Sequence, residues 1–339
     1  MVTLRLEAPG RLALASMEGP VAPGAGEALV RIHRVGVCGT DLHAFGGRQP
    51  FFSYPRILGH ELGVEVLERG NGVETVAVGD HCSVEPYLNC GVCIACRRGK
   101  PNCCAQLKVL GVHTDGGMRE QLLVPARKLH RSAQLSFDQL ALVETLGIGC
   151  HAVDRARIDR DEYALVIGAG PIGLAVMQFA VEAGARVIVL DINEARLRFC
   201  QQQLGVAHTL LATAGPVVDA LLQLTGGDLP TVVFDATGNS KSMMAAFDYT
   251  SPGGRLVFVG LFQGDVTFND PHFHRRELTL LASRNARSED FTRIIHLIEA
   301  GRINTTPWIT HRASIHDTPS VFSSWTKPET GVIKAMVEL

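Results

Sequence analysis

The run YALVIGAGPIGLAVMQFAVEAGARVIVLD, residues 163–191, decides how the second half of the chain folds. A short apolar stretch meets Gly168-Ala169-Gly170-Pro171-Ile172-Gly173; an uncharged segment follows, Gly184 stops it, and a second apolar stretch ends in Asp191. The order is strand, tight turn, helix, strand. The first glycine permits the turn, the second lets backbone approach a pyrophosphate, and the third lets helix and strand pack closely. The helix N-terminus then faces the phosphate charge. A lone GxGxxG is weak evidence, but in this setting it marks a dinucleotide site formed by Gly168, Gly170, Pro171, Ile172 and Gly173. Asp191, eighteen residues past Gly173, is placed to accept hydrogen bonds from a ribose 2′-OH and to repel a 2′-phosphate. The motif therefore favours NAD over NADP, with Arg196 a turn later as the counter-indication. From Tyr163 to Val181 the run is also uncharged enough to be weighed as a membrane span. The glycines and Pro171 break it, and Glu182 and Arg186 close it, so buried strand, turn and helix is the better reading.

Working outward, HTLL, TVVFD, RLVFVG and ELTLLA join ALVI and RVIVL as six buried strands alternating with helices. That alternation implies a doubly wound parallel sheet. Helix starts are expected at Asn193, Pro216 and Ser240, and stops at Gly184 and Gly205. Phe291, Ile294, Ile295 and Ile298 make one apolar helix face, capped by Ser288 and stopped by Gly301. Ile309 to Leu339 reads as a short helix and a final strand. In the first half, residues 27–37 alternate as a strand and run into Cys38-Gly39-Thr40-Asp41-Leu42-His43. Ala44 to Arg56 is loop-like, Gly59-His60-Glu61 precedes the strand VEVLERG, and Met118 to Val124 reads as another strand. Ser136 and Gln139 form a capping box for a helix on which Glu144 sits among apolar neighbours.

The 339 residues suffice for about two domains. With 46% hydrophobic and 19% charged residues, the composition is that of a soluble globular protein. A net charge of −2 without a basic block gives no reason to expect nucleic acid. MVTLRLEAPG has no secretory apolar core, so a cytoplasmic protein with no membrane partner is expected.

Five of the nine cysteines fall between Cys90 and Cys104. Cys90, Cys93, Cys96 and Cys104 have spacing that turns one loop around a tetrahedral metal, and four thiolates leave no open position for chemistry. A disulfide cluster needs an oxidising compartment, and the bacterial iron–sulfur run closes with a shorter spacer. A structural zinc is the preferred reading. Cys103, Cys82, Cys150 and Cys200 read as ordinary reduced residues, and His272-x-His274 as a plain surface turn. Cys38, His60, Glu61 and Glu144 are candidates for a second metal. Each has a bland alternative, but a carboxylate in the apolar setting of Glu144 needs a cation or several donors, and thiolate, imidazole and carboxylate make a zinc set with one open position.

On these motifs the chain resembles the zinc-dependent medium-chain dehydrogenases along its whole length, in the polyol branch with sorbitol and threonine dehydrogenases. The segments FGGRQPFFSYPRILGHE, CCAQLKVLGVHTDGG and SRNARSEDF are similar to bacterial sugar-acid dehydrogenases of the L-galactonate kind. The resemblance implies α/β plus β architecture: a GroES-like β-barrel catalytic domain (1–146 and 281–339, with a structural zinc lobe at about 87–106) and an inserted Rossmann domain (147–280), with the active site in the cleft between them. It further implies two zinc ions per chain, one catalytic and one structural, NAD as cofactor, and a homodimer or homotetramer.

The resemblance assigns Thr40 as a relay hydroxyl and His43 as the residue passing the proton to solvent. It aligns Arg284 with an arginine near the polyol of sorbitol dehydrogenase; a domain-boundary ion pair is the equally weighted alternative. The expected reaction is oxidation of a secondary hydroxyl of a sugar acid or polyol, with L-threonine 3-dehydrogenase or sorbitol-type activity as alternatives and a non-catalytic NAD-binding sensor as a remote one. Two further expectations concern the metal. Cys38 and one glutamate together neutralise Zn²⁺, so only one of Glu61 and Glu144 should bind directly. Val64 stands where the family's GHE-x-x-G pattern has glycine, so the strand leaving the site should pack differently.

Overall fold

Six parallel strands lie in the order His208–Leu211, Arg186–Asp191, Tyr163–Ile167, Val232–Asp235, Arg255–Phe258, Thr279–Ala282. The chain starts in the middle, steps outward twice, then returns to the other side of its first strand; this reversal is the topological switch of a doubly wound sheet. Leu165, Ile188, Leu190, Val233 and Leu256 share a core with Leu221 and Phe247 from the covering helices. The computed structural model describes residues 1–49 and 52–339. It divides into one unit of Met1–Thr145 with Ala286–Leu339 and another of Leu146–Asn285. The second unit holds the whole strand Thr279–Ala282, which pairs along its length with Arg255–Phe258.

The other unit is rich in antiparallel strands. Its largest sheet runs Leu129–Arg131, His81–Val84, Glu61–Arg69, Glu27–Val37, Lys334–Glu338, Ile309–Ser314, with Gln121–Pro125 also paired to Glu27–Val37. Val30, Ile32, Val35, Leu62, Val64, Val66, Cys82 and Val337 line its core. Val64 is wholly buried there, and the close approach falls one residue earlier: a Cβ at Gly63 would lie 2.2 Å from the Phe137 carbonyl oxygen. The strand thus keeps a glycine where the helix start crosses it, and Val64 fills core.

The helix Phe137–Ala156 begins with the expected box, Ser136 N–H donating to Gln139 Oε1 at 3.0 Å and Gln139 N–H to Ser136 Oγ at 3.3 Å. The helix Ser240–Tyr249 starts at Ser240 as expected, and Asn239 caps it, its carboxamide accepting from two N–H groups. Elsewhere the local expectations shift. Arg287 precedes Ser288–Glu299, where Asp290 caps back to the Arg287 N–H and the Ser288 hydroxyl instead donates to Glu85 at 2.5 Å. The strand expected from Met118 starts at Gln121, because Gly116 to Met118 spend their N–H groups on Ile57, Gly59 and Leu58 carbonyls. His272 and His274 lie on a short helix, Asp270–Arg275, and the tail holds a second strand, Ile309–Ser314. The loop-like reading of Ala44 to Arg56 falls partly outside the described residues, and its first residues finish the helix Gly39–Phe45. Among the described residues no helix is long and apolar enough to cross a membrane.

Gly63→Ala should destabilise the first unit by about 1–3 kcal/mol, the usual cost of overpacking. Thermal unfolding checks this; an unchanged midpoint would mean that the start of the helix Phe137–Ala156 yields freely.

Candidate active site and metal centres

Cys38 caps the helix Gly39–Phe45, and the Asp41 carboxylate accepts from the Cys38 N–H at 2.9 Å. Thr40 and His43, three residues apart on that helix, share a face; Thr40 is half-buried and His43 exposed. His60 and Glu61 enter at the start of the strand Glu61–Arg69, directly across from Gly36. A Cβ at Gly36 would sit 2.0 Å from a Glu61 carboxylate oxygen, so only glycine lets that side chain lie across the neighbouring strand. The ligand atoms of Cys38, His60 and Glu61 all lie within 4.8 Å of one another. Among the described residues His60 Nδ1 is buried without a hydrogen-bond partner, 3.9 Å from Asp41 Oδ1. Burial alone would depress its imidazole pKa, but Asp41, with Cys38 and Glu144, holds it well above the ordinary value. An orphaned ring nitrogen beside a thiol and a carboxylate is the donor set that suits a zinc ion.

The two glutamates have different partners. Glu61 is ion-paired to Lys334, whose Nζ lies 2.6 and 2.8 Å from its two oxygens and also donates to Thr145 Oγ1 at 3.2 Å. Both side chains are almost wholly buried. Burial works against the ammonium, but Glu61, Cys38 and Glu144 together raise the Lys334 pKa. Glu144, also buried, stands outside the three-residue group, and its Oε1 accepts from the Tyr87 hydroxyl. Burial pushes the Glu144 carboxyl up; His60 opposes this and Glu61 reinforces it.

Cys90, Cys93, Cys96 and Cys104 come together as expected from their spacing, all as free thiols. Their Sγ atoms lie 3.4 Å (Cys90–Cys104), 3.5 Å (Cys93–Cys96) and 3.8 Å (Cys93–Cys104) apart. Zn–S bonds of about 2.3 Å in a tetrahedron set sulfurs about 3.8 Å apart, so the loop fits a closed zinc site. Backbone N–H groups of Cys96 and Ala105 lower the Cys93 pKa to about 6, which favours the thiolate a metal needs.

In the other unit, Gly170 caps the helix Pro171–Glu182 and Gly168 has φ +97°. A Cβ at Gly173 would fall 1.7 Å from the Gly168 carbonyl oxygen. Asp191 closes the loop from the neighbouring strand, accepting from Ala169 N–H at 2.6 Å and Asn193 N–H at 2.7 Å. The Arg196 guanidinium donates to the Ala169 carbonyl at 3.2 Å. The turn, the open helix N-terminus and the carboxylate at the strand end fit a dinucleotide. Arg284 lies just past the last strand of this unit, exposed.

A doubly wound dinucleotide sheet joined to a β-rich unit that gathers thiol, imidazole and carboxylates defines a metal-dependent dehydrogenase. Comparisons with known proteins give the same class. The alcohol dehydrogenase GroES-like domain family matches residues 24–134 and the zinc-binding dehydrogenase family residues 171–300. The chain is 42% identical to L-galactonate-5-dehydrogenase of Escherichia coli (strain K12) over 92% of its own length and 91% of that protein. It is 31% identical to an L-threonine 3-dehydrogenase of Pyrococcus horikoshii, covering 86% of this chain and 85% of the relative. A crystal structure from Escherichia coli CFT073, described as a short chain alcohol dehydrogenase complexed with NADH, superposes with a TM-score of 0.93 at 29% identity over 100% and 99% of the two chains. The chain belongs to the zinc-binding alcohol dehydrogenase family. It is accordingly a zinc- and NAD(P)-dependent dehydrogenase acting on CH–OH donors, with a GroES-like domain and a Rossmann-type sheet.

Sequence reading gave no role to Lys334, Tyr87 or Asp41. Lys334 alone left a trace: a single lysine inside the strand VIKAMVEL, where nothing local accounts for a charge.

Lys334→Met strands a buried carboxylate. In metal-stripped protein it should cost about 3–5 kcal/mol, as for other broken buried pairs; urea unfolding of the two proteins reads the difference. A loss below about 1 kcal/mol, the scale of exposed pairs, would show that water reaches Glu61.

Proposed function

We propose that this protein oxidises a secondary hydroxyl of a sugar acid or polyol, an L-galactonate-like aldonate foremost, to a ketone with reduction of NAD. The observation that carries this reading is the meeting of Cys38, His60 and Glu61 in a chain 42% identical to an L-galactonate dehydrogenase. The preference for NAD is supported by Asp191 at the strand end and by Arg196, which spends a guanidinium nitrogen on the Ala169 carbonyl.

When bound, zinc supplies a Lewis acid that acidifies a substrate hydroxyl, and the dinucleotide supplies a hydride acceptor. The remaining work falls to the chain. Cys38 and His60, with a glutamate, hold the cation. Thr40 takes the hydroxyl proton and His43, exposed on the same helix face, delivers it to solvent. Gly168, Gly170, Pro171, Ile172 and Gly173 admit the pyrophosphate, and Asp191 receives the ribose. Lys334 already neutralises Glu61, so the charge that balances zinc falls to Cys38 and Glu144. In this proposal Glu61, although one of its oxygens lies within 4.8 Å of the Cys38 and His60 ligand atoms, is held back by Lys334 as the outer carboxylate, and Glu144, outside that group, is the inner one. Arg284 pairs with the substrate carboxylate, a task suited to a planar guanidinium. Cys90, Cys93, Cys96 and Cys104 hold the structural ion. The edge strand Thr279–Ala282, with Leu280 exposed on it, supports a homodimer or homotetramer. L-Threonine 3-dehydrogenase activity is the second reading, favoured by the relative from Pyrococcus horikoshii.

Zinc-loaded enzyme tested at 340 nm against aldonates, neutral polyols and L-threonine should reduce NAD with an aldonate as best substrate; turnover of threonine alone would select the second reading. Metal analysis should find two zinc ions per chain, one for the four-cysteine group and one for the group of Cys38 and His60, with Cys93→Ser losing the first and Cys38→Ser the second. Arg284→Ala should raise KM for an aldonate about tenfold or more, the ~1.5–3 kcal/mol of a charged hydrogen bond, and leave a neutral polyol nearly unchanged. Equal effects on both would remove Arg284 from the substrate site.

A further inference from the structure

Tyr87 belongs to no motif, yet the residue is only 2% exposed and its hydroxyl donates to the buried Glu144 carboxylate, which is near enough to His60 to act on it electrostatically. A buried phenol needs some partner, and many acceptors would serve. What distinguishes this one is how firmly the donor is held. Glu85, two residues earlier, is buried in an ion pair with Lys128, accepts from Ser288 Oγ at 2.5 Å and lies 3.4 Å from His130 Nε2. Its own N–H donates to the Lys128 carbonyl at 2.8 Å. Tyr87 and Leu88 then pair with Val109 and Lys108, forming the short hairpin that brackets the cysteine lobe. Phe291 meets the Tyr87 ring edge-on at 6.4 Å and stacks on His130 at 4.9 Å. The hydroxyl is therefore fixed from the segment before it, the strand beside it and the ring against it.

We propose that Tyr87 is a positioning residue: its hydroxyl holds one oxygen of Glu144, so that the carboxylate is presented in a single orientation to the cation site of Cys38 and His60. The cysteine lobe takes part, because Cys90 and Cys104, their Sγ atoms 3.4 Å apart, draw together the two ends of the loop that joins the strands of this hairpin. The proposal rests on the reading of Cys38, His60 and Glu144 as a zinc site, and not on which alcohol is oxidised.

The test is Tyr87→Phe in the full-length zinc enzyme, with zinc affinity read by competition against a chromogenic chelator. Cys38→Ser identifies which of the zinc sites responds. Partners behind metal ligands typically contribute 10–100-fold in affinity, and a loss of that size is expected at the Cys38 site, with the cysteine-lobe zinc and the thermal midpoint little changed. In a Glu144→Gln background the same substitution should weaken zinc no further. Phe291→Leu, which loosens the ring but keeps the hydroxyl, should give a smaller loss of the same sign. Unchanged affinity in Tyr87→Phe, or losses that simply add to those of Glu144→Gln, would overturn the proposal. If Cys38→Ser removes no zinc, the site reading itself falls and this proposal with it, an outcome distinct from either of those.

Discussion

Asp41, Glu61 and Glu144 bury three carboxyl groups in the first unit, and the cations and hydrogen-bond donors around them answer to that concentration of acidic groups. An isolated buried carboxylate is expensive enough that a protein normally protonates it or supplies a cation. This chain supplies Lys334 against Glu61, His60 against Asp41 and Cys38, and a phenol against Glu144. The balance closes when a divalent ion joins a thiolate and one carboxylate. A metal in such a place stabilises the fold as well as serving chemistry, because ligand charges that repel in its absence become mutually screened.

The backbone makes room for this. Gly36 is the point where the strand Glu27–Val37 lets a carboxylate lie over it, and Gly63 the point where the strand Glu61–Arg69 lets the helix Phe137–Ala156 begin. Between them His60 and Glu61 are fixed by a paired strand, which holds side chains more tightly than a free loop. Cys38, at the head of a helix, is fixed by Asp41 from below. The candidate ligands therefore sit on rigid elements, and the pieces that differ between expectation and structure, among them helix caps, strand ends, the strand Ile309–Ser314 and the short helix Asp270–Arg275, carry none of them.

What could be read from the sequence follows contact distance along the chain. The glycine loop, the four-cysteine lobe, the six strands and the Ser136–Gln139 cap are all made by residues close together in sequence, and their spacing encodes their geometry. Cys38, His60, Glu61 and Glu144 were legible as types suited to a metal, yet their division of labour was not. Lys334 meets Glu61 across 273 positions and Tyr87 meets Glu144 across 57, and no local pattern encodes such pairs. The Ser288 misreading has the same origin: a serine at a helix start reads as a cap until a distant Glu85 claims its hydroxyl.

The contrast between Lys334 and Tyr87 is itself a physical argument about the proposed site. Two carboxylates of equal charge beside one divalent ion would compete for it, and the ion would become net negative and a poorer Lewis acid. An ammonium on Glu61 cancels a full charge and takes that group out of the competition. A second ammonium on Glu144 would cancel the charge the ion requires. A phenol does something different: it directs one oxygen while leaving the carboxylate's charge in place. Neutral donor behind one glutamate, cation behind the other, is the arrangement that in the proposed site would make a single inner carboxylate out of two.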